Sequence, residues 1–310
     1  MELFRDLDGI PPRFQGGVLS VGVFDGVHLG HRKVLGRTVE RARDLGGGVE
    51  PVAFTFHPHP LEILRPAEAP RLIQTFGQKL ELLRAIGITA VVWPRDTESV
   101  LAMPPDVFFD RVVCESLRAR AVVEGADFHF GASAAGDRRR LADLARPRGV
   151  EVEFVEDITV DGCRVSSTAI RRLIADGRIA EAARCLGRPY IYLGTVVEGH
   201  HRGARLGYPT VNIEAPRFLL PGEGVYAGWA HVRGRRYRAA ISVGSAPTFH
   251  EPQAAGVEAF LLDFDGELYG EQVALDFIES LRPQEAFADP DTLRAQMAAD
   301  CERVREVLQR

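Results

Sequence analysis

The chain has 310 residues, 45% of them hydrophobic and 26% charged, with a formal net charge of −5. That is ordinary globular usage with apolar material for two compact domains, and it excludes a disordered chain and argues against a nucleic-acid partner, which calls for a broad basic surface. No apolar run approaches the roughly 20 residues of a bilayer span, so no membrane association is expected.

Residues 1–6 lack the basic-then-apolar order of a secretory signal. Cys114, Cys163, Cys185 and Cys301 stand far apart. They read as reduced thiols of a cytoplasmic protein, neither a disulfide frame nor a zinc site. A monomer and a homo-oligomer are both compatible with this composition.

The first part of the chain alternates short apolar runs with longer amphipathic ones. Residues 18–24, 52–56, 88–93, 121–125 and 150–155 are rich in Val, Ile and Phe and bounded by Gly, Pro or charges, the pattern of buried strands. Between them Val34, Leu35, Val39, Ala42 and Leu45 form one helical stripe, and Leu80, Leu83 and Ile86 another. Such alternation predicts an α/β domain with a parallel sheet covered on both faces and a ligand outside the carboxyl ends of its strands.

The segment Gly22-Val23-Phe24-Asp25-Gly26-Val27-His28-Leu29-Gly30-His31 lies in that place, from the end of the first strand into the first helix. Gly22, Gly26 and Gly30 let backbone approach phosphate closely, and the helix start offers N–H groups. His28 and His31, three apart, can point to one side of the first turn and donate hydrogen bonds to phosphate oxygens, more strongly if protonated. The alternative is a glycine-rich turn with surface histidines; the full ten-residue pattern in its strand-to-helix setting favours the phosphate site.

Three further segments follow strand ends or open a helix. Phe54-Thr55-Phe56-His57-Pro58-His59-Pro60 and Gly125-Ala126-Asp127-Phe128-His129-Phe130-Gly131 suit active-site loops, the alternative for the first being a proline-stiffened turn. In Val165-Ser166-Ser167-Thr168-Ala169-Ile170-Arg171 the hydroxyls of Ser167 and Thr168 and the Arg171 guanidinium can bind phosphate oxygens, or serve as an ordinary cap with a surface arginine.

The texture changes near Leu186-Gly187-Arg188-Pro189-Tyr190, which divides the chain into domains 1–186 and 187–310. Residues 192–197, 225–232, 237–243, 257–264 and 273–277 read as strands, with turns at Arg233-Gly234 and Asp265-Gly266, and predict a small antiparallel β-barrel. A closing helix has Asp289 as N-cap, Pro290 at its first position, and Leu293, Met297, Cys301, Val304 and Leu308 on one face.

Between the first two barrel strands lies Gly199-His200-His201-Arg202-Gly203-Ala204-Arg205-Leu206-Gly207-Tyr208-Pro209-Thr210-Val211-Asn212. Gly199 and Gly207 permit a loop over phosphate and Arg205 supplies charge. Thr210 and Asn212 alternate along an extended segment, and their oxygens suit Mg²⁺ held with ATP phosphates. Glu258, in an otherwise apolar strand, is a candidate general base for an attacking alcohol. A basic surface hairpin and a rim carboxylate are the plain alternatives.

In this order, G-x-x-D-G-x-H-x-G-H, F-x-P-H-P, G-x-D-F-x-F-G, S-S-T-x-I-R, G-x-x-x-G-x-x-L-G-Y-P-T-x-N, L-P-x-x-G-V-Y (220–226), P-T-F (247–249) and L-Y-G (268–270) resemble the bacterial bifunctional riboflavin kinase/FAD synthetase family over nearly the full length. The resemblance implies a Rossmann-like nucleotidyltransferase domain that transfers AMP from ATP to FMN, followed by a six-stranded barrel that phosphorylates riboflavin. ATP, riboflavin, FMN and FAD are then the small-molecule partners, with Mg²⁺ beside ATP. It further implies that His28 and His31, with Phe24, Asp25, Ser167, Thr168 and Arg171, serve the ATP phosphates of the first reaction. His59, Asp127 and Arg282 fall at flavin positions, Thr210 and Asn212 at Mg²⁺–ATP, and Glu258 at the kinase base. Two positions depart from the family pattern: His57 stands where many members are acidic, and Ser242 where asparagine is common. The rivals are an adenylyltransferase for another phosphate ester and a flavin-binding module without turnover.

Overall fold

A computed structural model describes residues 1–199, 207–215, 217–244 and 256–309. Two compact units emerge: residues 1–70 with 76–165, and residues 71–75 with 166–310. The first break in contacts thus precedes the change of texture at Leu186, because two helices after residue 165 pack with the second unit. The short segment Arg71–Thr75 also belongs there. Its Leu72 forms a parallel bridge with Phe218, and Gln74 accepts a hydrogen bond from Arg188 at 3.0 Å.

The first unit is built on six strands: β1 (Glu2–Phe4), β2 (Val18–Val21), β3 (Pro51–Phe54), β4 (Ala90–Val92), β5 (Ala121–Gly125) and β6 (Glu151–Val155). They lie in the order β1-β4-β3-β2-β5-β6, every pair parallel. Helices α1 (Leu29–Leu45), α2 (Pro60–Leu64), α3 (Phe76–Ile86), α4 (Thr97–Leu101), α5 (Pro105–Phe108) and α6 (Arg138–Ala145) connect them. Val52 and Phe54 pack into one core with Phe108, Phe109 and Val112, while Ala53 between them joins Leu35, Val39 and Leu83 on the opposite face. That alternation is why both faces need cover. The order reverses at β2, flanked by β3 and β5, so the crevice at its carboxyl end is the switch point of the sheet.

Strands β2, β3 and β4 are shorter than the apolar runs, while β5 has the bounds of its run. β2 ends at Val21 because the chain turns sharply after Gly22, with Phe24 at φ 50° and Val27 at φ 37°. Among the elements that the sequence pattern did not name are edge strand β1, a π-helical stretch Phe109–Ser116, helix α6, the later helix Ile179–Leu186, and a hairpin of β7 (Thr159–Val160) with β8 (Cys163–Arg164).

In the second unit α7 (Ser167–Ala175) and α8 (Ile179–Leu186) precede a closed antiparallel barrel. Its strands are β9 (Tyr190–Val197), β10 (Thr210–Glu214), β11 (Gly224–Val232), β12 (Arg235–Gly244), β13 (Gly256–Leu261) and β14 (Gln272–Arg282), in the order β10-β13-β12-β11-β14-β9. Closure leaves no unpaired edge. Arg233 and Gly234 both take positive φ, 49° and 75°, as a two-residue hairpin turn requires. The C-terminal helix (Pro290–Val307) is capped by Asp289 and lays Cys301, Val304 and Val307 against Ala227 and Leu262.

Candidate active sites

The turn after β2 is held in a costly shape. Positive φ at Phe24 and β-branched Val27 carries a penalty of about 1–3 kcal/mol each, which persists only where the surroundings over-determine the backbone. Gly26, at φ 85°, bears no such penalty. Gly22 is required for space: a Cβ there would come within 2.8 Å of the Phe24 ring.

His28 is the N-cap of α1, and its Nδ1 accepts a hydrogen bond from the His31 backbone N–H at 3.3 Å. That bond places the proton of neutral His28 on Nε2. Gly30 is small because a Cβ would press on the His28 ring at 3.2 Å. The two imidazoles stack with centroids 3.6 Å apart, and the Phe24 ring meets His31 edge-on at 5.4 Å. Nδ1 of His31 is buried without a hydrogen-bond partner, an uncompensated group of the kind a bound oxygen would satisfy. Burial, then the neighbouring His28 and Lys79, hold the His31 imidazole well below its ordinary value. His31 is therefore a neutral donor near pH 7, so hydrogen bonding and not charge is what this ring offers a phosphate.

Beneath the turn, Lys79 of α3 and Asp25 are buried, at 6% and 4% exposure. The Lys79 ammonium donates to the Val23 carbonyl at 2.7 Å, Thr55 Oγ1 at 3.4 Å and the Phe56 carbonyl at 3.5 Å. Burial lowers its pKa to about 8 against the opposing charge of Asp25. At the end of β5, Glu124 is 2% exposed and accepts the Val21 N–H at 2.6 Å. Burial raises its carboxyl well above the usual range, the Val21 bond opposing. Sequence patterns missed both residues; the signal was a charge inside an apolar stripe, Lys79 four before Leu83 and Glu124 within β5.

Other segments of the first unit are placed as follows. His59 caps α2, its Nδ1 accepting from Leu61 N–H at 3.2 Å while Glu62 accepts from His59 N–H. His57 stacks on Phe76 at 4.3 Å. Asp127, after β5, is exposed and ion-paired with Arg164, which also holds Asp157 at 2.7 Å.

In the second unit Ser166 caps α7, accepting from Ala169 N–H at 3.2 Å, so Ser167 and Thr168 form its first turn. Arg171, one turn on, donates to the Arg71 carbonyl at 3.0 Å.

The barrel site is a row across three strands. Asn212 on β10 is the register partner of Glu258 on β13, which in turn faces Ser242 on β12. Thr210, two residues from Asn212, donates to Glu258 Oε2 at 3.4 Å. A Cβ at Gly199 would fall 1.9 Å from the Asn212 amide nitrogen, so glycine is what lets that side chain lie where it does. Ser242 Oγ accepts from Gln284 at 2.6 Å. Gly207 takes φ 87°; Arg205 and the P-T-F motif at 247–249 lie outside the described residues. A cavity of about 390 Å³ is walled by Tyr208, Phe260 and Ala298, and Phe260 is the register partner of Thr210. Arg282 is bound to Asp300 of the C-terminal helix, Nη2 to Oδ2 at 2.8 Å, with side chains 16% and 10% exposed.

Comparison with known proteins finds relatives for both parts of the chain. A family model described as FAD synthetase matches residues 10–169, and one described as riboflavin kinase matches residues 186–308. A bifunctional riboflavin kinase/FMN adenylyltransferase of Pseudomonas fluorescens is 32% identical, over 97% of this chain and 96% of its own. One from Listeria monocytogenes is 34% identical, over 91% and 90%. A solved Streptococcus pneumoniae chain described as a macrolide-efflux protein superposes with a TM-score of 0.85 at 27% identity, over 98% of this chain and 99% of that one. Among the described residues no helix is long and apolar enough to cross a membrane. The chain belongs to the bifunctional riboflavin kinase/FMN adenylyltransferase family, ATP-dependent enzymes of flavin-cofactor biosynthesis.

Proposed function

We propose that the two reactions divide between the two constellations: the turn after β2 with His28 and His31 serves AMP transfer to FMN, and the Thr210–Asn212–Glu258 row serves phosphorylation of riboflavin. The observation that carries this reading is the pairing of Glu258 with the Thr210 hydroxyl beside Asn212, together with the orphaned Nδ1 of His31 in the other unit. Ser167, Thr168 and Arg171 assist at the ATP phosphates, as do Gly199, Arg205 and Gly207 in the kinase. His59, Asp127 and Arg282 serve the flavin.

In the kinase reaction Glu258 takes the proton of the riboflavin 5′-hydroxyl as its oxygen bonds to the γ-phosphorus, and ADP leaves. Thr210 and Asn212 offer hard oxygen donors next to a carboxylate, a set that suits Mg²⁺ with ATP; when bound, the ion neutralises phosphate charge. In the adenylyl transfer a phosphate oxygen of FMN bonds to the α-phosphorus of ATP and pyrophosphate leaves. His28 and His31 donate hydrogen bonds to the phosphate oxygens where charge develops. The working compartment is the cytoplasm, in keeping with four cysteines that stand outside any disulfide.

The test is chromatography of flavins formed from riboflavin, ATP and Mg²⁺. His28→Ala should stop FAD formation and spare FMN, and Glu258→Ala should stop FMN formation while supplied FMN still becomes FAD. Loss of both reactions in either folded variant would refute the division.

A further inference from the structure

Lys79 belongs to no phosphate motif, yet its ammonium joins two loops of the first unit. Val23 lies after β2, and Thr55 and Phe56 lie after β3; all three give it an oxygen. The Thr55 hydroxyl reinforces the clamp by donating to the same Val23 carbonyl at 3.3 Å. A peptide unit is planar, so a Val23 carbonyl held toward Lys79 turns the Phe24 N–H the opposite way. Phe24 is the residue strained at φ 50°, its ring abuts His31, and His31 stacks on His28. A continuous line of contacts thus runs from the ammonium to the histidine pair.

We propose that Lys79 is a positioning residue for adenylyl transfer: by clamping the Val23 carbonyl it holds the strained turn of residues 23–27, and through Phe24 it keeps His31 against His28. This rests on the reading of that turn as the AMP-transfer site. The titratable groups around the ammonium are Asp25 on the turn, His31 and His28 at the start of α1, and His57, stacked on the Phe76 ring that Lys79 also meets at 5.6 Å. Because burial brings Lys79 to about 8, the charge that strengthens the clamp is present at neutral pH and is lost as pH rises through that value.

The experiment follows FAD formation from FMN and ATP by the full chain. Lys79→Met should lower kcat about 10- to 100-fold, the scale of loss for misplaced reacting groups, with KM for ATP little changed and FMN formation from riboflavin intact. Lys79→Arg should recover most of the kcat and move the alkaline limb of the pH profile upward, since arginine keeps its charge beyond about pH 12. A wild-type kcat in Lys79→Met, a defect confined to KM, or an unmoved alkaline limb in Lys79→Arg would each overturn the role. Should the methionine variant fail to fold, the limb of the arginine variant decides alone. If His28→Ala leaves FAD formation intact, the site assignment fails; if only the Lys79 variants behave as wild type, the assignment stands and the clamp fails.

Discussion

Glu124 shows what a single buried group asks of the fold. Its carboxyl, raised by burial, holds its proton more tightly in the folded chain than in the unfolded one, where the ordinary value is 4.5. The stability it contributes is therefore fully present below that ordinary value and is lost as pH rises through the raised one. Glu124→Gln keeps an oxygen for the Val21 N–H and removes the titration. The difference in Tm between variant and wild type should rise in the variant's favour from pH 5 to pH 9; a difference that does not change with pH would contradict it. His28 and His31 were legible because their spacing and glycines speak in side chains and φ angles. Lys79 was not, because two of its three oxygen partners are backbone carbonyls, which no residue pattern advertises.

At the level of elements, the strand–helix alternation, the barrel and the C-terminal cap at Asp289 could all be read from periodicity and punctuation. Strand β10 was legible as an extended segment because Thr210, Asn212 and Glu214 place polar residues at every second position, the period of a strand. Asp300 was hidden for a related reason: it sits on the apolar face of the C-terminal helix next to Cys301, and its partner Arg282 comes from the end of β14. This pair ties helix to barrel by two guanidinium nitrogens on one carboxylate. Removing one member of a largely buried pair strands the other, a loss of about 3 kcal/mol. Asp300→Ala should lower the thermal midpoint of the full chain and raise KM for riboflavin; an unchanged midpoint would mean that the pair contributes no net stability.

For the molecule as a whole, the described residues hold no cluster of three or more His, Cys, Asp or Glu side chains arranged for a metal ion. A cation that arrives with ATP, as proposed above for Thr210 and Asn212, carries a testable expectation. Excess chelator should stop both FMN and FAD formation, added Mg²⁺ should restore them, and the Tm without nucleotide should not move. A fall in that Tm would point to a resident ion instead.

The segment Arg71–Thr75 gives the order of synthesis a consequence. Residues 1–70 and 76–165 form one unit, yet this short stretch in their midst finds its partners, Phe218, Arg171 and Arg188, in chain made much later. As the polypeptide leaves the ribosome, the nucleotide-binding unit can close while this loop still waits for its neighbours. Nor does any one cut between residues release both units with their contacts whole, so a gene split at a single point would leave the barrel half without Arg71–Thr75. Fusion or exchange of halves between relatives would carry the same constraint.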